Sequence, residues 1–427
     1  MGKWTMQKSA PTVGSRTVGG PRARHRRCKK GTAVRAQGED KEREGNTLAL
    51  DKETLETLRN QVFGFDTYFV TGYEQYPGKG VLFKGNLRGN ADVTYRKLKE
   101  RLKEAVGDEY TLFLLVDKEK KPTVVVFPNE SLVEEQGPVP EAASCAIFAA
   151  CTLATTLNAS GLALPILGGG VEGAPLSAVL PGALSLLFVY AAHEFGHFRA
   201  AAKLKKELAL PFFVPFQQLG SLGSITRIKS ILETREELFE IAIAGPLYGF
   251  AASFLTLAVG LAISKASGQG VPVQAAEFQD SLLVGTLGKI LFGPQLEADQ
   301  FVLLNPIAIA GWAGMVINAI NAIPVGETDG GRLSFAMWGR QRNSLISNGS
   351  LLLLGVTGIL SDLALYWFLF VSFLQRGPIK PQQNEISELT KAQELQAAGI
   401  LTLALLVLLP FPFLLTSQVA GGIPASM

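Results

Sequence analysis

Four runs without a single charged residue, at 142–171, 174–192, 241–264 and 301–326, constrain this chain more than any other feature. A helix needs about 20 apolar residues to cross the hydrocarbon core of a bilayer. Backbone at that depth must satisfy its own hydrogen bonds, which favours helices there. Two more segments are long enough: 350–374, which contains Asp362, and 397–416. A seventh, 281–293, is short and interrupted by Lys289, a pattern that fits a re-entrant or interfacial helix. The expected fold is therefore a polytopic α-helical membrane protein with six to eight spanning segments, and no internal repeat is visible.

The charge lies elsewhere. Residues 1–38 hold ten Lys or Arg and no acid, so the formal net charge of +3 masks a remainder with 30 basic against 37 acidic residues. This leader is Arg-rich, carries Ser and Thr, and lacks the apolar centre of a secretory signal. It reads as an organelle transit peptide ending near "AVRAQ". The alternative is a basic tail for nucleic acid or anionic lipid. Gly and Pro among the cations, at the extreme N-terminus, favour import, and no nucleic-acid partner is expected.

Residues 39–140 read as a small soluble α+β domain and 141–427 as the membrane domain. Within the first, "DKETLETLRNQVFGF" (51–65) has helical spacing and "GKGVLFKGNLRGN" is Gly-rich and turn-prone. "ADVTYRKLKERLKEAV" (91–106) is an amphipathic helix, and "YTLFLLVD" and "TVVVFP" are strands around the turn "KEKKP". Cys28, Cys145 and Cys151 form no CxxC pair, so no disulfide framework is expected. Basic residues recur at Arg199, Lys203, Lys205 and Lys206 and again at Arg227, Lys229, Arg332, Arg340 and Arg342. If these sit in loops on one side, that side faces the organelle's interior.

The chain has three histidines, and two of them, His193 and His197, share the pentapeptide HEFGH at the end of an apolar run. Residues four apart on a helix are offset by about 40°, so both imidazoles lie on one face and can take two corners of a zinc tetrahedron. Glu194, beside the first, can act as general base toward a water held by the ion. Inert buried histidines are the bland reading, but ionisable groups inside a membrane segment are costly and usually functional.

Catalytic zinc takes a third protein ligand. A further histidine six residues on is ruled out, because position 203 is Lys. The acids near later apolar segments are Glu327, Asp329 and Asp362. Pro324 and the glycines of "NAINAIPVGETDGGRLSF" break the helix and let an acid turn inward. Asp329, followed by Gly330 and Gly331, has the freest backbone and is preferred over Glu327. Asp362 is expected to pair with a polar neighbour.

HExxH in one apolar segment and NxxPxxxxDG in a later one (Asn321, Pro324, Asp329, Gly330) together resemble the site-2 protease family of intramembrane zinc metalloproteases. "GNLRG" (85–89), "PFFVPFQQLGSLGSITRIKS" (211–230), "AGPLYG" (244–249), "DGGR" (329–332) and "LQRGP" (374–378) look like its plastid branch, the ethylene-dependent gravitropism-deficient and yellow-green proteins. The resemblance implies one zinc per chain, with Asp329 as third ligand. It gives Asn321 a part in oxyanion stabilisation or in the site's polar network. It further implies a chloroplast membrane, thylakoid rather than envelope, a role in chloroplast development, and the bilayer and membrane-spanning proteins as partners. The "PFFVPF…ITRIK" stretch resembles a membrane-associated β region that presents substrate, with an amphipathic loop on the bilayer as its alternative. Where the family usually has leucine before the DG, this chain has Thr328.

The expected activity is zinc-dependent hydrolysis of peptide bonds in or beside transmembrane segments. The N-terminal domain would regulate it or recruit substrate. Two rivals are a non-proteolytic membrane scaffold or chaperone that keeps the motif as structure, and a metal transporter. A closed set of two histidines and an aspartate with one open position suits hydrolysis better than transport.

Overall fold

A computed structural model describes residues 50–76, 80–117, 119–132, 140–162, 174–296, 300–374 and 379–410. The transit peptide expected over 1–38, and part of "LQRGP", lie outside the described residues.

The soluble part starts with α1 (Lys52–Thr57), which continues through one π-helical turn, Leu58–Val62. Strands β1 (Tyr68–Tyr76) and β2 (Gly80–Leu87), helix α2 (Ala91–Val106), and strands β3 (Tyr110–Val116) and β4 (Pro122–Pro128) follow. The sheet runs β1-β2-β4-β3, antiparallel throughout. Leu58, Val62, Tyr68, Phe83, Leu98, Leu114 and Val124 form the core between its inner face and the helices. The stretch expected to be a turn, 78–90, instead supplies the inner strand β2. Val81 and Phe83 are fully buried there, so apolar pairing on both sides outweighs the glycines. Those glycines give room: a Cβ at Gly85 would overlap the Phe69 carbonyl. Gly89, at φ +74°, turns the chain into α2, whose first turn the Asn90 side chain caps.

Among its described residues the membrane part comprises eight further α-helices and four strands paired as two short hairpins. Helices α3 (Glu141–Ala159) and α4 (Leu176–Lys203) precede a hairpin of β5 (Phe212–Phe216) and β6 (Gly220–Ile225), and then α5 (Arg235–Ser267). A second hairpin pairs β7 (Val271–Gln274) with β8 (Phe301–Leu304) around α6 (Leu282–Phe292). Helices α7 (Pro306–Asn321), α8 (Asp329–Thr357), α9 (Asp362–Leu374) and α10 (Lys391–Leu408) complete the chain. Among the described residues, α3, α4, α5 and α10 are long and apolar enough to cross a membrane, and α6, α7 and α9 are shorter apolar helices.

Two expected spans are broken. The 301–326 run divides into β8 and α7, because Phe301–Leu304 pairs with β7 and Pro306 opens the helix. The 350–374 run is interrupted at 358–361, between α8 and α9, and α8 itself kinks at Gly339 (φ 73°). Asp362 lies exposed in the first turn of α9, where the helix dipole favours an acid.

Helices α4, α5 and α7 form the centre, packed through Leu257, Leu261, Ala308, Met315 and Ala319. Small residues let the backbones approach: a Cβ at Gly260 or Gly311 would overlap the facing helix's main chain. Large apolar side chains such as Leu184, Leu255 and Leu352 stay exposed on the outer faces, as lipid contact requires.

A later segment ties the soluble sheet to this centre. Leu114 N donates to Gln383 O (2.6 Å) and Glu385 N to Leu114 O (3.0 Å). On its other side, Gln383 N donates to Leu232 O (2.9 Å) and Asn384 N to Glu233 O (2.7 Å), just ahead of α5. Glu385 also receives Arg340 at 2.5 and 3.1 Å.

Candidate metal centre

Helix α4 carries His193, Glu194 and His197 in its last turns, and the i, i+4 spacing turns both imidazoles to one side. Their Nε2 atoms are 3.1 Å apart. Asp329 arrives from the first turn of α8, with Oδ2 3.1 Å from His193 Nε2 and Oδ1 3.3 Å from His197 Nε2. Among the described residues these three form the group of His, Cys, Asp and Glu able to share one ion. Glu327 and Asp362, the other acids weighed from sequence, are not in it.

Thr328 places the aspartate. As N-cap of α8 its hydroxyl accepts from Gly331 N at 3.1 Å and donates to Val325 O at 2.7 Å. Gly330 and Gly331 are not there for backbone freedom. Neither has positive φ, whereas a Cβ at Gly330 would overlap Ala322 O and one at Gly331 would overlap Gly326 O. Glycine lets the first turn of α8 sit directly on the 322–326 turn. On the opposite side, Gly245 and Gly249 of α5 face the histidines, and a Cβ at Gly245 would overlap the His197 ring.

Hydrogen bonds on the far side of each ring set its tautomer. His197 Nδ1 lies 2.8 Å from Ile241 O, which can only accept, so that nitrogen carries the proton. His193 Nδ1 lies 2.7 Å from Asn318 Oδ1. The amide's orientation follows from its other end: Asn318 Nδ2 donates to Gly314 O (2.8 Å) and to Ser253 Oγ (3.2 Å). Ser253 in turn gives its own hydrogen to Gly249 O (2.7 Å). With both rings neutral, the two Nε2 lone pairs face the Asp329 carboxylate, and a cation shared by the three would satisfy them all. Ligand atoms about 2.0–2.1 Å from a tetrahedral zinc lie about 3.3 Å from each other, matching the observed spacing. The residues fit the ion.

Glu194 is 7% exposed, and the end of β6 with the residue that follows it holds it in place. The Ser224 hydroxyl donates to Oε1, and Thr226 Oγ1 donates to Oε2 at 2.6 Å. Ser224 lies in β6 and Thr226 directly follows its last residue, Ile225, and the hydroxyls of both reach Glu194. Asn321 ties the same hairpin to α7, with Nδ2 donating to Leu222 O (2.9 Å) and Ile317 O (2.8 Å). Both amide hydrogens are thus committed to main-chain carbonyls.

Clefts open on either side of the three ligands, and Ser224 and Asn321 line both. The His193 side is walled by Val189, Tyr190, Phe213 and Ile317, the His197 side by Thr226, Glu327, Arg332 and Phe370. Arg332 had counted among the loop cations. It lies instead in the first turn of α8, 7% exposed.

Sequence reading passed over Asn318, Ser224, Thr226 and the role of Arg332. The alternation of hydroxyls in "GSITR" was the available signal for two of them.

Residues 181–365 match the profile described as Peptidase family M50, and residues 56–135 match that of the EGY3 middle domain. The chain is similar to the probable zinc metalloprotease EGY2, chloroplastic, of Arabidopsis thaliana, at 43% identity over 378 residues, which cover 88% of this chain and 68% of the relative. It is 33% identical over 400 residues to the probable zinc metalloprotease EGY1, chloroplastic, of Oryza sativa subsp. japonica, covering 85% and 68%. With the probable zinc metallopeptidase EGY3, chloroplastic, of Arabidopsis thaliana it shares 30% identity over 366 residues, covering 79% and 62%.

Proposed function

Because the chain belongs to peptidase family M50, among the EGY zinc metalloproteases, we propose that it hydrolyses peptide bonds in or beside the transmembrane segments of other proteins. The observation that carries this reading is the meeting of two imidazole lone pairs and a carboxylate beside a buried glutamate.

In this reading His193, His197 and Asp329 hold one zinc. When bound, zinc supplies a Lewis acid that polarises a carbonyl and makes water nucleophilic near neutral pH. Glu194 takes the proton from the attacking water and passes it to the amide nitrogen as that nitrogen leaves. Each of its oxygens already accepts one hydroxyl and keeps capacity for another hydrogen, so Ser224 and Thr226 aim the base without occupying it. Asn321 serves the network by joining β6 to α7. Asn318 fixes the tautomer of His193, which leaves Nε2 free for the metal.

A substrate helix must unwind before its peptide bonds can be reached. The β5–β6 hairpin beside the base offers an extended segment backbone partners, and this supports its part in presenting substrate. The protein is a chloroplast membrane protein, and we place it in the thylakoid, with action in chloroplast development. Residues 1–38 would serve import, 39–140 would recruit or regulate, and 141–427 would hold the protease. The six to eight crossings draw on α3, α4, α5 and α10 together with the shorter α6, α7 and α9 and the apolar second half of α8.

The test is cleavage in detergent of single-span substrates by wild type and Glu194→Gln at equal zinc content. Cleavage by wild type alone supports the reading, and equal cleavage by both refutes it.

A further inference from the structure

Hydrolysis leaves one charge without a counterpart among the residues assigned so far. As water adds to the peptide carbon, the carbonyl π pair moves onto oxygen. Collapse of that negative charge then expels the amine nitrogen, which leaves with the proton carried by Glu194. Donors aimed at such an oxygen are usually a large part of catalysis. Asn321 points both amide hydrogens at Leu222 O and Ile317 O.

We propose that Arg332 is a catalytic residue whose guanidinium receives the charge developing on the scissile carbonyl oxygen. This rests on the hydrolase reading above. Three observations carry it. Arg332 is a buried cation on the wall of the His197-side cleft, together with His197, Asp329 and Ser224. Nη2 is anchored by donating to Thr226 O at 3.0 Å, on the residue whose hydroxyl holds Glu194. Nη1 stands 3.9 Å from Asp329 Oδ1, beyond hydrogen-bonding distance, so its hydrogens are not committed to that ligand. One residue thus anchors both the base and the guanidinium. The i, i+3 spacing from Asp329 brings the cation to the metal's side of α8. A guanidinium presents its donors in a fixed plane.

The experiment uses the full chain in detergent, zinc-loaded, as wild type, R332Q and R332K, with Glu194→Gln as the inactive control. It measures zinc per chain, kcat and KM on a single-span substrate that wild type cleaves, and affinity for a peptide phosphinate of the cleaved sequence, a stable tetrahedral anion. R332Q is expected to hold zinc as wild type does and to keep KM within about threefold, while kcat falls about 100- to 1,000-fold. Phosphinate affinity should fall by a similar factor. R332K, which keeps the charge and loses the fork, should lose about tenfold in kcat. A role confined to orienting Asp329 would lower zinc content and leave activity per bound zinc unchanged, which overturns the proposal. So would a loss seen in KM alone. If R332Q does not fold, R332K decides, and a kcat equal to wild type overturns the assignment. If wild type cleaves, Glu194→Gln does not and R332Q matches wild type, this inference alone fails. If wild type and Glu194→Gln do not differ, the hydrolase reading fails and this inference falls with it.

Discussion

Asn318 Oδ1 accepts the Nδ1 proton of His193 at 2.7 Å, across 125 positions of sequence, and so decides which nitrogen faces the metal. Behind it stand Ser253 and the Gly249 carbonyl, a relay from α7 through α5. Asn318→Leu removes the acceptor while roughly keeping the volume. Zinc affinity should fall about 10- to 100-fold, read by competition with a chromogenic chelator and independent of turnover. Unchanged affinity would mean that His193 holds its tautomer without help.

Gly249 has no room for a side chain, because a Cβ would overlap Asn318 Oδ1 and stand 2.9 Å from His193 Nδ1. Gly249→Ala should therefore separate α4, α5 and α7. The expected loss of stability is about 1–3 kcal/mol, with zinc affinity reduced as well. Gly399, with nothing within 4 Å of its Cβ position, is the control, and Gly399→Ala should keep stability and zinc. Thermal unfolding in detergent, with and without chelator, distinguishes the two.

Thr226 holds the base with its hydroxyl and carries the Arg332 anchor on its carbonyl. Thr226→Val removes only the hydroxyl. A hydrogen bond to a charged group contributes about 1.5–3 kcal/mol, so kcat should fall about 10- to 100-fold at unchanged zinc content. Thr226→Ser, which restores the donor, should recover most of it. If valine and serine behave alike, the hydroxyl does not position Glu194.

Glu385 is buried where Arg340 binds it. Glu385→Ala leaves that guanidinium without its carboxylate and should loosen residues 379–389 from β3 and α5. Limited proteolysis in detergent should then cut inside this segment faster than in wild type, while zinc content holds.

The histidine pair and its glutamate were legible because helical period is a local property, readable from five consecutive residues. The long apolar runs were legible for the same reason, although β8 and the 358–361 break show that composition alone does not reveal where a run changes element. Asp329 was picked out by its glycines, but for the wrong physical reason, since they give space against the 322–326 turn rather than freedom of φ. Strand β2 was misread because its pairing with β1 and β4, not its own composition, decides its state. Asn318, Ser224 and Thr226 act on residues far away in sequence, and a single amide or hydroxyl in an apolar stretch carries no period.

The segment around Gln383 completes the β3 edge of a sheet whose own strands were all made before residue 130. A chain that emerges or is imported N-terminus first must carry that edge open until α9 has followed it. During this interval the edge is exposed to other strands, a known route to misassembly. A soluble fragment cut after β4 would keep the edge open permanently. The N-terminal domain is thus early in order of synthesis and late in order of completion, and assembly of the membrane helices is a condition for finishing it.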